Sequence, residues 1–162
     1  MKIATLAFVK SRDGKQVLLA KKKTGEIGQG LVNAPGGKLE DVDRKSLLRC
    51  IRRETFEEWG ILLEPSKLEK VAVLECHAGG VPSMEVHVFM TDHFIGTPCE
   101  SEDSEKPTWH NIDNLPFGEM HEGDHVWMKK VLEGEKLHIT LLYREKGVGF
   151  ETAVFRSLEL MI

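Results

Sequence analysis

The sequence predicts an α+β fold, a mixed β-sheet packed between about two helices. Two observations carry this expectation. Short segments alternate apolar and polar residues, as over 84–92, where Val86, Val88 and Met90 share one face and His87 and Phe89 the other. The stretch 43–59 instead has a helical period: Leu48, Ile51, Thr55 and Trp59 recur at i, i+3, i+7 and i+11, with Leu47 at the margin. No repeat, linker or low-complexity segment interrupts the chain, so its 162 residues read as one domain, 1–162.

Residues 3–9 are largely apolar, Ser11-Arg12-Asp13-Gly14 supplies a turn, and 16–21 resumes an apolar run, giving two strands. Residues 24–37 hold five glycines and a proline and read as loop, with one short strand at 31–33. The helix over 43–59 ends at Gly60, a residue suited to the left-handed cap. Strands are expected at 71–76, 84–92 and 108–112, an acidic loop at 96–107, and a second helix over 116–132. Segments 136–143 and 148–156 form a terminal hairpin around Glu145-Lys146-Gly147.

Hydrophobic residues make up 41% of the chain and charged residues 30%, so it can bury a core. A formal charge of −4 argues against a long nucleic acid as partner, although Lys21-Lys22-Lys23 is basic enough to meet a small polyphosphate. Cys50, Cys76 and Cys99 are widely spaced without a C-x-x-C pair, and read as reduced structural thiols. The amino-terminal apolar patch is too short to span a membrane and lacks a cleavage pattern, so a cytoplasmic protein is expected. His121 and His125 are four apart, but Gly123 lies between them, and no zinc site is read.

Chemistry concentrates in Arg53-Glu54-Thr55-Phe56-Glu57-Glu58-Trp59-Gly60-Ile61. Glu54, Glu57 and Glu58 stand at i, i+3 and i+4, so a helix stacks three carboxylates along one edge, flanking its buried face. Each close pair repels by ~1 kcal/mol even in water. A hard divalent cation with oxygen ligands relieves that repulsion. A bare E-x-x-E-E is otherwise an ordinary solvated acidic face, here with Arg53 and Lys45 as surface partners.

The context resembles the Nudix box, Gly-x5-Glu-x7-Arg-Glu-U-x-Glu-Glu-x-Gly-U, with U bulky and apolar. Arg53 to Ile61 match its last nine positions, with Thr55 at the first U, and Gly37 matches its opening glycine. Gly37 to Arg53 spans sixteen positions where the pattern spans fourteen. The apolar positions remain in phase, so the two extra residues are expected to enlarge the loop 39–43 rather than the helix. The first glutamate of the pattern falls at Lys45 by helix register, or at Asp43 by loop register. Beyond the box, Asn33, Gly36-Gly37-Lys38, Glu85-Val86-His87-Val88-Phe89, Gly96-Thr97-Pro98, Trp109, Leu115-Pro116-Phe117, Asp124 and Trp127 resemble the MutT-type branch, specifically oxidised-purine nucleoside triphosphatases.

That resemblance implies a Nudix fold with its loop–helix–loop, and Mg²⁺ (Mn²⁺ can substitute) held by Glu54, Glu57, Glu58 and the Gly37 backbone. It implies a small nucleotide substrate, a monomer, and release of pyrophosphate with a nucleoside monophosphate. A box glutamate or a loop carboxylate, Glu102 or Glu105, helps deprotonate the attacking water. Arg53 orients a box glutamate, Gly36 and Gly37 admit close backbone approach, and Lys22, Lys23 and Lys38 are candidate phosphate-side residues. On the base side stand Asn33, with a two-faced amide, Asp124 and Trp127. His121 replaces a tryptophan of the relatives, Gly123 an aspartate and Ile27 an aromatic residue, with Glu122 the candidate for the missing carboxylate. Two other readings compete: a Nudix hydrolase of nucleotide-sugars or dinucleoside polyphosphates, and a nucleotide-binding module without turnover.

Overall fold

In β1 (Lys2–Val9) the alternating side chains enter two different cores, and this double burial organises the molecule. Leu6 and Phe8 join one cluster, Ala7 and Val9 the other. The computed structural model describes residues 1–25 and 28–161. Its central sheet has six strands in the order β11-β10-β6-β7-β1-β4: β4 (Gly36–Lys38), β6 (Glu69–Ala78), β7 (Val81–Thr91), β10 (Leu137–Glu145) and β11 (Val148–Ser157) beside β1. β1 pairs in parallel with β7, and β6 with β10; the other neighbours are antiparallel, so the sheet is mixed. A second sheet orders β3 (Val32–Asn33), β2 (Gln16–Lys21) and β9 (Thr108–Asn111). β5 (Leu62–Leu63) and β8 (Phe94–Ile95) form a short ribbon.

One helix lies in each core. α1 (Leu47–Trp59) buries Ile51 and Trp59 against Ala7, Val9, Leu18 and Phe89. α2 (Asp124–Leu132) buries Trp127, Met128 and Val131 against Leu6, Phe8, Leu74 and Val88, with the Trp127 and Phe8 rings stacked at 5.8 Å. Val86, Val88 and Met90 face the α2 side and Phe89 the α1 side, as the alternation requires. Among the described residues no helix is long and apolar enough to cross a membrane.

Three elements differ from expectation. The first helix begins at Leu47 rather than 43, because Asp41–Asp43 forms a 3₁₀ turn and Arg44 and Lys45 take φ of 50° and 64°. Ser46 then caps the helix, its hydroxyl accepting from the Arg49 N–H at 3.2 Å. Leu48, expected on the buried stripe, is exposed, and Cys50 is buried in its stead. The second helix, expected from 116, begins at Asp124, because Gly123 holds φ +93°; a 3₁₀ turn, Phe117–Glu119, precedes it. Lastly, β4 lies where loop was expected.

Glycine conceals β4 in the sequence yet makes it possible. A Cβ on Gly36 would stand 2.0 Å from the Thr5 carbonyl oxygen, so only glycine lets this strand close on β1. Gly36→Ala is therefore expected to destabilise the fold by ~1–3 kcal/mol or more. At ~2–4 °C per kcal/mol for this size, the melting temperature should fall by several degrees in a thermal scan. An unchanged melting temperature would contradict this packing.

Candidate active site

α1 carries the acidic edge, and two cations neutralise it. Arg53 is the hub. Its Nε and Nη2 donate to the two carboxylate oxygens of Asp43 at 2.8 and 2.9 Å, a bidentate pair. Nη1 donates to Glu54 Oε1 at 2.8 Å and Glu57 Oε2 at 3.3 Å, and Nη2 also reaches the Lys38 carbonyl at 3.2 Å. Asp43 is buried, and the Arg53 guanidinium holds its carboxyl down at about 2. Of the two candidates for the pattern's first glutamate, Asp43, the loop-register alternative, is the one that pairs with Arg53, whereas Lys45 is exposed.

Glu58 is only 7% exposed, and that burial pushes its carboxyl up to about 7. Lys22 opposes the shift with its ammonium 3.6 Å from Glu58 Oε1, while the charges of Glu54 and Asp103 add to it. Glu54 is raised by burial and lowered by Arg53. A Cβ on Gly37 would lie 2.4–2.6 Å from the Glu54 carboxylate atoms, so the missing side chain is what seats Glu54 against β4. Lys38 is an exposed residue of the same strand.

The acidic loop is stitched to the end of β2. Lys23 N–H donates to the Asp103 carbonyl, Glu105 N–H to the Lys21 carbonyl, and Ser104 bridges Lys22. Ser104 is buried and accepts from the Trp59 indole at 3.1 Å. That places Asp103, held by the Thr24 hydroxyl at 2.7 Å, as the loop carboxylate whose charge reaches Glu58. Glu102 and Glu105, the candidates from sequence, are exposed, as is Asp103. Lys23 points along the loop, to the Ser101 carbonyl at 3.0 Å and Glu100 at 2.5 Å.

A second polar group lies at the start of α2. Asp124 is 6% exposed; burial raises its carboxyl to about 7, and its Oδ2 has no hydrogen-bond partner. The Trp127 indole lies near enough to lower that value slightly, although its N–H meets no partner in hydrogen-bond geometry. Trp127 itself is a core residue, 1% exposed, and supports Asp124 from behind. The charge of Asp124 is felt at the Cys76 thiol and the Tyr143 hydroxyl. His121 lies against Gly28, whose added Cβ would meet its Nε2 at 3.1 Å; burial first, then Lys22, keeps its imidazole neutral. The Asn33 Oδ1 accepts from the Ala34 N–H at 2.8 Å, so one face of its amide is committed and the NH₂ face is left.

The NUDIX domain model matches residues 1–133. The chain belongs to the Nudix family. Over 122 residues this Nudix hydrolase is 35% identical to the oxidized purine nucleoside triphosphate hydrolase of Mus musculus, covering 75% of the chain and 74% of that protein. It is 33% identical, with the same coverage, to the Danio rerio protein of that name. A crystal structure of a MutT protein from Bacillus halodurans aligns with a TM-score of 0.75 and 25% identity, covering 96% of this chain and 97% of that one. Nudix hydrolases generally require divalent metal ions. The residues of this hydrolase fit that requirement: three hard carboxylate donors line one helix edge, and Gly37 leaves a cradle for Glu54. Among the described residues no three acidic, histidine or cysteine side chains converge on one point, as the box carboxylates turn instead to Arg53 and Lys22.

Sequence reasoning missed Asp103, Cys76 and Tyr143. The period of β6 puts Cys76 on the face of Ala72 and Leu74, a usable signal; Tyr143 comes from a distant strand and had none. Glu122 does not turn to Asp124: its Oε2 accepts from the Gly149 N–H at 3.1 Å and ties the terminal hairpin. Ile27 lies outside the described residues.

A buried, unpartnered acid sets the stability of this hydrolase against pH. The Asp124 carboxyl is raised from 3.8 to about 7, so the folded state holds a proton that the unfolded state releases. Its stabilising contribution is full below ~4 and is lost as pH rises through ~7. Asp124→Asn should therefore melt higher than the parent at pH 8, by an amount on the order of a few kcal/mol, with the gap closing toward pH 4. Parallel thermal melts at both pH values check this; a constant gap would refute it.

Proposed function

We propose that this enzyme hydrolyses purine nucleoside 5′-triphosphates, oxidised forms included, to nucleoside monophosphate and pyrophosphate, and so sanitises the nucleotide pool. The observation that carries the reading is a pair of polar centres joined through one cation, Lys22. Glu54, Glu57 and Glu58 line the catalytic helix, and Asp124, with an unpartnered buried oxygen, stands with His121 and Asn33 on the base side. Lys22 links them, within 4 Å of Glu58 and electrostatically coupled to His121. The mouse relative's name, an oxidized purine nucleoside triphosphate hydrolase, supports the substrate class.

In this reading Mg²⁺, or Mn²⁺ in its place, is held by Glu54, Glu57, Glu58 and the backbone at Gly37; bound there it neutralises the phosphate chain and acidifies a bound water. Glu58, whose carboxyl lies near 7 by burial, or Asp103 in the loop takes the water proton. Arg53 fixes Glu54 and Glu57, and Lys23 and Lys38 flank the phosphate path. On the base side the Asn33 NH₂ donates to a purine acceptor, Asp124 accepts from or donates to the opposite edge, and neutral His121 offers a stacking face. With Gly123 in place of an aspartate and Glu122 tied to Gly149, preference for the oxidised base is smaller than in the relatives. The whole chain, 1–162, acts as one domain, since β10 and β11 extend the same sheet past the matched residues; a monomeric, cytoplasmic enzyme is part of the same proposal.

Glu58→Gln should lower kcat by at least ~10²-fold while the melting curve stays cooperative. Single-turnover chromatography should show pyrophosphate, and orthophosphate as sole inorganic product would overturn the reading. A substrate panel tests the base side: kcat/KM should favour purine over pyrimidine triphosphates. Loss of one pocket hydrogen bond in Asp124→Asn is worth ~1–3 kcal/mol, so purine kcat/KM should fall by one to two decades. Equal values for purines and pyrimidines would remove the base reading and leave the metal site standing.

A further inference from the structure

The acidic edge of α1 has two counter-ions of different kinds. Arg53 is locked: its fork is held by buried Asp43 on one side and by Glu54 and Glu57 on the other. Lys22 is not locked at its charged end. Its backbone is fixed, the N–H donating to the Leu31 carbonyl at 2.9 Å and the carbonyl accepting from the Gly30 N–H at 2.8 Å. Its stem packs beside Gly28, where an added Cβ would lie 3.8 Å from Cδ. Beyond the stem, Glu58 is the carboxylate within 4 Å of the ammonium among the described residues. The Lys22 side chain is 23% exposed and that of Glu58 10%, so this pair is far less screened than a surface ion pair.

We propose that Lys22 holds the place of the metal at Glu58 in the nucleotide-free enzyme, and thereby makes metal binding depend on the arrival of the polyphosphate. The proposal rests on the reading of the box glutamates as metal ligands. A divalent cation approaching Glu58 alone must displace or face an ammonium 3.6 Å from the carboxylate oxygen. A phosphate chain supplies negative charge at the same place. It gives the ammonium another partner, and the long flexible stem lets the charge move there while the backbone stays fixed. Glu58 is then free for the metal. Metal and nucleotide consequently reinforce each other's binding, and by linkage the reinforcement is equal in both directions. Lys22 is thus a positioning residue that acts through Glu58.

The test is Mn²⁺ binding to the full chain without nucleotide, read from the electron paramagnetic resonance signal of free Mn²⁺. Lys22→Met should bind Mn²⁺ roughly tenfold more tightly than the parent, a fraction of what a fixed charge at that distance would exert. Lys22→Arg, which keeps the charge, should stay near the parent. Lys136→Met removes a remote charge, one paired with Glu69, and should change the affinity by less than about twofold. With a non-hydrolysable α,β-methylene purine triphosphate present, the advantage of Lys22→Met should shrink or reverse. Equal or weaker Mn²⁺ binding by Lys22→Met overturns the proposal, as does the same gain from Lys136→Met, which would reduce the effect to net charge. Mn²⁺ binding that is unaffected by Glu58→Gln would instead overturn the assignment of Glu58 as a ligand, and the proposal with it.

Discussion

The bidentate pair between Arg53 and Asp43 is the interaction on which the candidate site depends. Three carboxylates on one helix edge repel, and a helix that carries them needs a fixed positive charge beside it. Arg53 supplies it, but a guanidinium stays in one place only if its other face is held. Asp43 holds it from a buried position in the loop, and its own second partner, the Glu40 N–H at 2.9 Å, ties that loop into a closed turn. Between that turn and the helix, Arg44 and Lys45 take up left-handed backbone. Such conformations are unfavourable for side-chain-bearing residues and persist where surrounding contacts over-determine them. Here the buried ion pair on one side and the Ser46 cap on the other do so.

The proposed base side is built on the opposite logic, a polar group left unsatisfied. Asp124 Oδ2 and the Trp127 indole N–H are both buried without a partner, a combination that costs stability and is tolerated in folded proteins mainly where something else completes it. Gly123 explains why a single carboxylate stands there. A Cβ at this position would lie 2.9 Å from the Phe150 ring and 3.0 Å from the Tyr143 hydroxyl, and φ is +93°. The terminal hairpin therefore closes over the start of α2, the Tyr143 hydroxyl bonds the Glu122 carbonyl, and no acidic side chain fits at 123. The glycine at 123 and the packing of β10 and β11 are one structural fact.

Much of this was legible in the chain. Short apolar runs marked β1, β2 and β6, and period-2 alternation marked β7, because burial on both faces or one writes itself into hydrophobicity. The 3.6-residue period gave α1, and the Glu54, Glu57, Glu58 spacing gave its acidic edge. The glycines hid β4, since a strand defined by close backbone approach has no side-chain pattern to read. The start of α2 was missed because what keeps position 123 a glycine is its contact with Phe150, 27 residues on in the chain. Asp103 was passed over for Glu102 and Glu105 because a loop has no period. Only the pairing of Lys23 with Asp103 and of Glu105 with Lys21 decides which loop carboxylate's charge reaches Glu58.

By itself the sequence determined the fold class, the helix that carries the carboxylates and the family to which the chain belongs. Each of these depends on residue types at fixed short spacings, and local geometry follows from spacing alone. Tertiary structure decided which charges meet. Lys22 lies 36 residues from Glu58, Asp43 is ten residues before Arg53 across a loop of unusual backbone, and Asp124 owes its raised pKa to burial, near enough to Cys76 of β6 and Tyr143 of β10 for its charge to act on both. Burial and charge proximity are properties of three-dimensional distance. They set the protonation of Glu58 and Asp124, and no linear pattern encodes them.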